Sequence, residues 1–322
     1  MDNSKRVTLF FVDNLIWVIL VGIYTLFVVL NPGFQNLNFF YRLVYFSIPL
    51  GFIVLAEAIC LLAGVFDLSV GQLTGLVAMA SGVLIVKTSL FQGVPDFFLV
   101  LIPLIMGLGL GAFNGFLVGK LKLNPFLATL GTYLVFYGAK LQATGASTVF
   151  GFPDVYLIFG AEAIPTILIF FLVVGVLYFL LTKTRFGYHV YSVGSNPEAS
   201  EMLGVRKSKI YFLVYLISGT LCGFAALAYT GFVGAASPTV ASDTVFMAFA
   251  GAILAGVSIN GGRGSIVNVI GGILLISTIE GGLTMLDVSV YYRQVLFGTL
   301  VIVAIIINQA REKLRDRILL PR

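Results

Sequence analysis

AIPTILIFFLVVGVLYFLL, residues 163–181, decides the fold. It carries no charged side chain and is long enough to cross a hydrocarbon core about 30 Å thick. In lipid the backbone must satisfy its own hydrogen bonds, so an apolar run of this length is a membrane-spanning helix. The stretch has many counterparts. The chain of 322 residues is 59% hydrophobic and only 10% charged, against about 25% charged in soluble domains. Its mean hydropathy is +1.05. The period-two alternation of a membrane β-barrel is absent.

Working outward from 163–181, ten spans are expected, at 10–30, 43–64, 69–86, 97–118, 125–142, 163–181, 210–232, 245–259, 265–285 and 290–308. The fold class is therefore an all-α polytopic bundle with short loops. The apolar run behind Lys5 and Arg6 is long and lacks a cleavage pattern, so it reads as a retained first span rather than a signal peptide. With the N-terminus in the cytoplasm, fifteen of the 19 Lys and Arg residues fall inside. Only Arg42, Lys87, Lys140 and Arg293 fall outside, beside the acids Asp96, Asp154, Glu162, Asp243 and Asp287. That bias sets the orientation by the positive-inside rule and places both termini in the cytoplasm. It also accounts for the net charge of +5 without any nucleic-acid partner. The reading is one transmembrane domain over 1–322, with a polar cytoplasmic loop at 182–209 and a basic cytoplasmic tail at 309–322 that lies near anionic headgroups.

Several enzyme classes drop out. No G-x-x-x-x-G-K-[ST] phosphate loop occurs, so no P-loop nucleotide site is encoded. The one histidine, His189, lies in the polar loop with no acid beside it, which disfavours a Ser-His-Asp site. Cys60 and Cys222 lie in apolar runs and read as packing residues, and no zinc-ligand spacing is present. No catalytic or metal-ligating residue is expected, and no cofactor bound by this chain.

The glycines are patterned. Gly107, Gly109, Gly111, Gly115 and Gly119 form a small-residue run that reads as a helix-packing seam. Leu62-Ala63-Gly64-Val65 is echoed by Leu254-Ala255-Gly256-Val257, each before a polar break. A structural repeat would produce such an echo.

The loop 182–209 contains one expected short helix. Asn196 is a candidate N-cap, Pro197 suits the first helical position, and Gly204 suits the C-cap. Glu198 and Glu201 favour the positive helix end. Two turns are not stable alone, and Ala199, Met202 and Leu203 offer an apolar ridge to a partner.

Glu198-Ala199-Ser200 followed by Gly204 resembles the E-A-A-x-x-x-G coupling loop of ATP-binding-cassette (ABC) importer permeases, with Ser200 in place of Ala. The downstream I-x-L-P is represented only by Val214-Tyr215-Leu216-Ile217. Asp67-Leu68-Ser69-Val70-Gly71, then Asn114-Gly115, then Asn124-Pro125-Phe126-Leu127-Ala128-Thr129-Leu130-Gly131-Thr132 resemble successive segments of the ribose, xylose and galactose permease family. So do Thr184-Arg185-Phe186-Gly187, Val193-Gly194-Ser195-Asn196, and Leu254-Ala255-Gly256-Val257-Ser258 with Gly261-Gly262-Arg263-Gly264-Ser265. The resemblance runs in order from about 45 to 305. It implies an importer in the cell (inner) membrane. Two permease copies, as homodimer or heterodimer, would form the path for a monosaccharide. An extracytoplasmic sugar-binding protein would deliver it, and a separate ATP-binding subunit would hold ATP and Mg.

Path candidates follow from polarity, because ionisable groups inside a span face a cavity or a partner. They are Glu57, Asp67, Asn114, Thr129 and Thr132, with Glu280 near the outer end of the ninth span. Structural roles compete: Asp67 can cap the break after the second span, Ser69 with Gln72 fits a capping box, and Glu57 can make an inter-helix hydrogen bond. The family usually lacks an acid at the Glu57 position. Gly262, Arg263 and Gly264 form a tight cytoplasmic turn, with neither the Lys-Ser nor the strand of a phosphate loop. Two rivals stand beside the sugar reading: a nucleoside or branched-chain amino-acid permease, and an ion-coupled secondary transporter using acids such as Glu57.

Overall fold

A computed structural model describes residues 14–319. Its secondary structure is helical, with one isolated antiparallel bridge between Val149 and Ala236. The helices are α1 (Leu15–Leu30), α2 (Leu37–Leu62), α3 (Val70–Lys87), α4 (Asp96–Lys120), α5 (Pro125–Thr144), α6 (Asp154–Ala161) and α7 (Ala163–Lys183). There follow α8 (Arg185–Ser195), α9 (Pro197–Met202), α10 (Lys207–Val233), α11 (Thr244–Leu254), α12 (Ile266–Met285) and α13 (Val290–Leu319).

Seven of these, α2, α3, α4, α7, α10, α12 and α13, are long and apolar enough to cross a bilayer. The protein is a multi-pass helical membrane protein. The other three expected spans meet helices that fall short of that measure. In the described residues α1 and α11 are shorter apolar helices. α5 has 20 residues but is diluted by Thr129, Thr132, Lys140 and Gln142. The basic charges expected at Lys5 and Arg6 lie outside the described residues.

α2 is the centre. From Ser47 to Leu62 every side chain is buried, and α10, α11 and α12 pack around it. α10 packs most extensively on α4, along the expected glycine seam. A methyl group at Gly107 would stand 2.3 Å from the Gly219 carbonyl oxygen, and one at Gly111 would stand 2.3 Å from that of Tyr215. Gly115 and Gly119 meet α10 in the same way, and Ser208 donates to the Gly119 carbonyl. Backbones this close exclude any Cβ. Gly109 departs from the expectation. Two residues from Gly107 and Gly111, it lies off their face, and a Cβ there meets nothing.

The tetrapeptide echo is a repeated backbone motif. In the first copy Val65 N–H donates to the Cys60 carbonyl at 3.1 Å and Gly64 N–H to that of Leu61 at 2.9 Å. In the second, Val257 N–H donates to Ala252 at 3.1 Å and Gly256 N–H to Ile253 at 2.8 Å. Both are Schellman caps, with Gly64 at φ +76 and Gly256 at φ +88.

One expectation at the polar ends is corrected. The 182–209 loop holds two helices, not one. α8 buries Gly187, Val190, Val193 and Gly194 on one stripe, and that packing stabilises a segment whose Gly and Ser content reads as loop. The tail at 309–322 is described as far as residue 319. α13 continues unbroken through it to Leu319, held by contacts of Glu312 described below.

Candidate functional site

The break between α2 and α3 turns inward and carries Asp67, which is fully buried. Its Oδ1 accepts from Ser69 N at 3.0 Å and from Ser69 Oγ at 2.6 Å, and its Oδ2 accepts from Ser218 Oγ at 3.2 Å. Asn114 Nδ2 donates to Ser69 Oγ at 2.8 Å and reaches Asp67 Oδ1 at 3.4 Å. Thr129 Oγ1 accepts from Leu68 N at 3.1 Å, and the Tyr215 hydroxyl donates to the Phe66 carbonyl. Four elements, α2, α4, α5 and α10, are thus tied to one loop. Of the path candidates, Asp67, Asn114 and Thr129 are brought together. Thr132 bonds only within its own helix, to the Thr129 carbonyl.

The arrangement is that of a structural latch, since every oxygen of Asp67 already has protein donors. Ser218 and Tyr215 belong to it and were missed. Both sit in an apolar span whose sequence marks no partner, and only the approach of α10 to the break selects them. Glu57 is fully buried, and neither carboxylate oxygen has a side-chain hydrogen-bond partner within ordinary distance.

The expected Ser69–Gln72 capping box is not formed. Ser69 makes no cap bond to α3. Gln72 Oε1 accepts from Lys140 Nζ at 2.8 Å, and Gln72 Nε2 donates to the Ser242 carbonyl at 3.3 Å. An ammonium donor outcompetes a backbone amide for that oxygen. Lys140 is fully buried. It is therefore not one of the loop charges to which the sequence assigned it.

At the end of the bundle that carries the polar loop, α8, the α2 break and the turn 258–265 meet. Gly262 N–H donates to the Leu62 carbonyl at 2.9 Å. A methyl group at Gly194 would stand 2.1 Å from the Leu62 oxygen and 2.5 Å from the Gly262 nitrogen. The Tyr191 hydroxyl donates to the Gly264 carbonyl at 3.1 Å. Ser258 Oγ donates to Glu312, and Asn260 Nδ2 donates to Glu312 at 3.3 Å, so α13 braces the same turn. The expected turn at Gly262, Arg263 and Gly264 exists, but Gly262 and Gly264 are working contacts within the chain. Arg263 is exposed.

α9 follows directly. The Asn196 side chain accepts from Ala199 N at 2.9 Å, Pro197 occupies the first turn, and Gly204 adopts φ +85. Ser200 is buried, whereas Ala199 and Glu198 face out. Met202 is 89% exposed and Leu203 82%. Glu201 pairs with Lys207 at 3.0 Å.

The fold is that of a polytopic helical membrane protein with broken spans, buried polar latches and an exposed apolar knuckle at one end. The family model described as "Branched-chain amino acid transport system / permease component" matches residues 39–305. The chain is 35% identical to the D-allose transport system permease protein of Escherichia coli (strain K12), over 80% of this chain and 79% of that one. It is 32% identical to the ribose import permease protein of Bacillus subtilis (strain 168), over 94% and 92%. It is 29% identical to the galactose/methyl galactoside import permease protein of Haemophilus influenzae, over 93% and 94%. No solved structure matches the chain. The chain belongs to this family of ABC importer permeases.

Proposed function

We propose that the chain is the permease subunit of an ABC importer and forms the translocation path for a monosaccharide delivered by an extracytoplasmic binding protein. The similarity to allose, ribose and galactose permeases over most of the chain supports the sugar class. The whole chain acts as one transmembrane domain in the inner membrane. Ten crossings, including α1, α5 and α11, put both termini and α9 in the cytoplasm, in keeping with the charge bias.

One observation carries the mechanism. The knuckle at Met202 and Leu203 is bare, yet the segment just before it is wedged by Gly194 against the Leu62 carbonyl and Gly262. A separate ATP-binding subunit, holding ATP and Mg, would grip the knuckle. Its closure would push α8 against the α2 break and the Asp67 latch, and so bias the spans between two arrangements. Permease, partner ATPase and a second permease copy share the work. The carbohydrate path needs few polar groups, because hydroxyls must pass rather than stay.

The test is reconstitution. Proteoliposomes holding this chain with its ATP-binding subunit and binding protein take up radiolabelled D-allose, D-ribose or D-galactose only when ATP is supplied. Uptake by the chain alone under an ion gradient would establish the secondary transporter instead. Uptake of L-leucine in preference to all three aldoses would establish the amino-acid permease.

A further inference from the structure

A cavity of about 440 Å³ opens between α2, α10 and α12, in the range of about 300–1,000 Å³ typical of small-molecule sites. It lies far from the α9 end. Arg42 stands 20 residues from Leu62 along α2, about 30 Å at 1.5 Å per residue. Glu280 stands 15 residues up α12 from Ser265, about 22 Å.

The lining is specific. Phe46, Phe232 and Tyr229 supply aromatic surface, Ser277 a hydroxyl, and Arg42 and Glu280 opposite charges. Phe46 and Phe232 stack edge to face, with centroids 5.1 Å apart. Arg42 and Glu280 are both accessible and are not paired with each other. A guanidinium only donates and a carboxylate only accepts. A ligand hydroxyl does both, so a neutral polyol satisfies the two groups at once. A simple cation would meet Arg42 and a simple anion Glu280; a zwitterion would satisfy both groups as a polyol does, and the sugar permeases among the relatives decide for the polyol. Aromatic rings complement the C–H faces of a sugar ring.

We propose that this cavity is a way-station for the sugar at the outer end of the path, with Arg42 and Glu280 holding hydroxyls and the aromatic rings holding the ring face. The proposal rests on the sugar-importer reading above and gives it a site.

The test uses the complete reconstituted transporter with Ser277→Cys, labelled from the binding-protein side by a membrane-impermeant methanethiosulfonate. D-allose, D-ribose and D-galactose are the probes. At least one is expected to slow labelling, by about threefold when present at twice its dissociation constant. Glu280→Gln in the same background is expected to abolish the protection, each variant's protection being read against its own unprotected rate. Three results would overturn the proposal: no labelling from that side, labelling that no aldose slows, or a block relieved only by removing a bound phospholipid. Protection by L-leucine but by no aldose would also overturn it. If the wild-type complex takes up an aldose while protection fails, the cavity alone is refuted. If the complex takes up none of the three, the sugar-importer reading itself falls.

Discussion

Lys140 Nζ donates to Gln72 Oε1 across 2.8 Å and to Ser242 Oγ across 3.1 Å, joining α5, α3 and the loop before α11 inside the bundle. Its ammonium also lies 5.5 Å from the centroid of the Tyr137 ring. A buried ammonium is tolerated only when its donors are met, and here a neutral amide, a hydroxyl and a ring meet them. The contact fixes the 234–243 loop on α3, where a methyl group at Gly71 would stand 2.6 Å from the Ala241 carbonyl.

Lys140→Ala should therefore strand Gln72 Oε1 and Ser242 Oγ and leave a void along the lysine stem. The expected loss is about 1–3 kcal/mol from the stranded groups, with packing loss added. Lys140→Met keeps the stem volume and should lose less. Thermal unfolding of the purified chain in detergent measures both; equal midpoints for wild type and Lys140→Ala would show that the contact contributes nothing.

The Asp67 latch predicts a graded pair. Asp67→Ala removes the acceptor shared by Ser69, Ser218 and Asn114. It should cost about 1–3 kcal/mol for each buried donor left unsatisfied, and should abolish uptake. Asp67→Asn retains one acceptor oxygen and should sit between that variant and wild type. Uptake and unfolding midpoint are read together, and wild-type values for Asp67→Ala would remove the latch from the account.

The glycine seam predicts opposite signs two residues apart. Gly109→Ala meets open space and should be neutral or stabilising by about 0.5–1 kcal/mol, because alanine favours the helix. Gly111→Ala drives a methyl group onto the Tyr215 carbonyl and should separate α4 from α10, with a clear fall in unfolding midpoint. Similar midpoints for the two variants would contradict the close approach of α4 to α10.

At the knuckle, Asn196→Ala removes the N-cap and should destabilise α9 by about 1 kcal/mol. Gly204→Leu forces a branched side chain to φ +85. Both, and Glu198→Lys, should reduce ATP-driven uptake while the amount of membrane-inserted chain stays level. Full uptake in all three would end the docking role of α9.

How much could be read in advance differs by element. The α9 cap was legible because Asn196, Pro197 and Gly204 act on their immediate neighbours. α8 was not, because its helical stripe is defined by what it packs on. The Ser69–Gln72 box is a local pattern that a distant lysine overrode, and Lys140 itself was misassigned because hydropathy cannot tell a loop cation from one with partners two helices away.

By itself the sequence determined a helical membrane protein, a bias in its basic charges and the tetrapeptide echo, while the Schellman caps in both copies and the loss of Gly109 from the glycine seam came from the structure. The helices and the charge bias follow from hydrogen bonding within a segment or from the cost of exposing polar groups to lipid, and so need no knowledge of neighbours. Which groups meet was decided by the tertiary structure alone: Ser218 on Asp67, Lys140 on Gln72, Gly194 on Leu62, and Arg42 and Glu280 in the lining of one cavity. Those pairs join residues far apart in the chain, and their energies exist only once packing has brought the helices together.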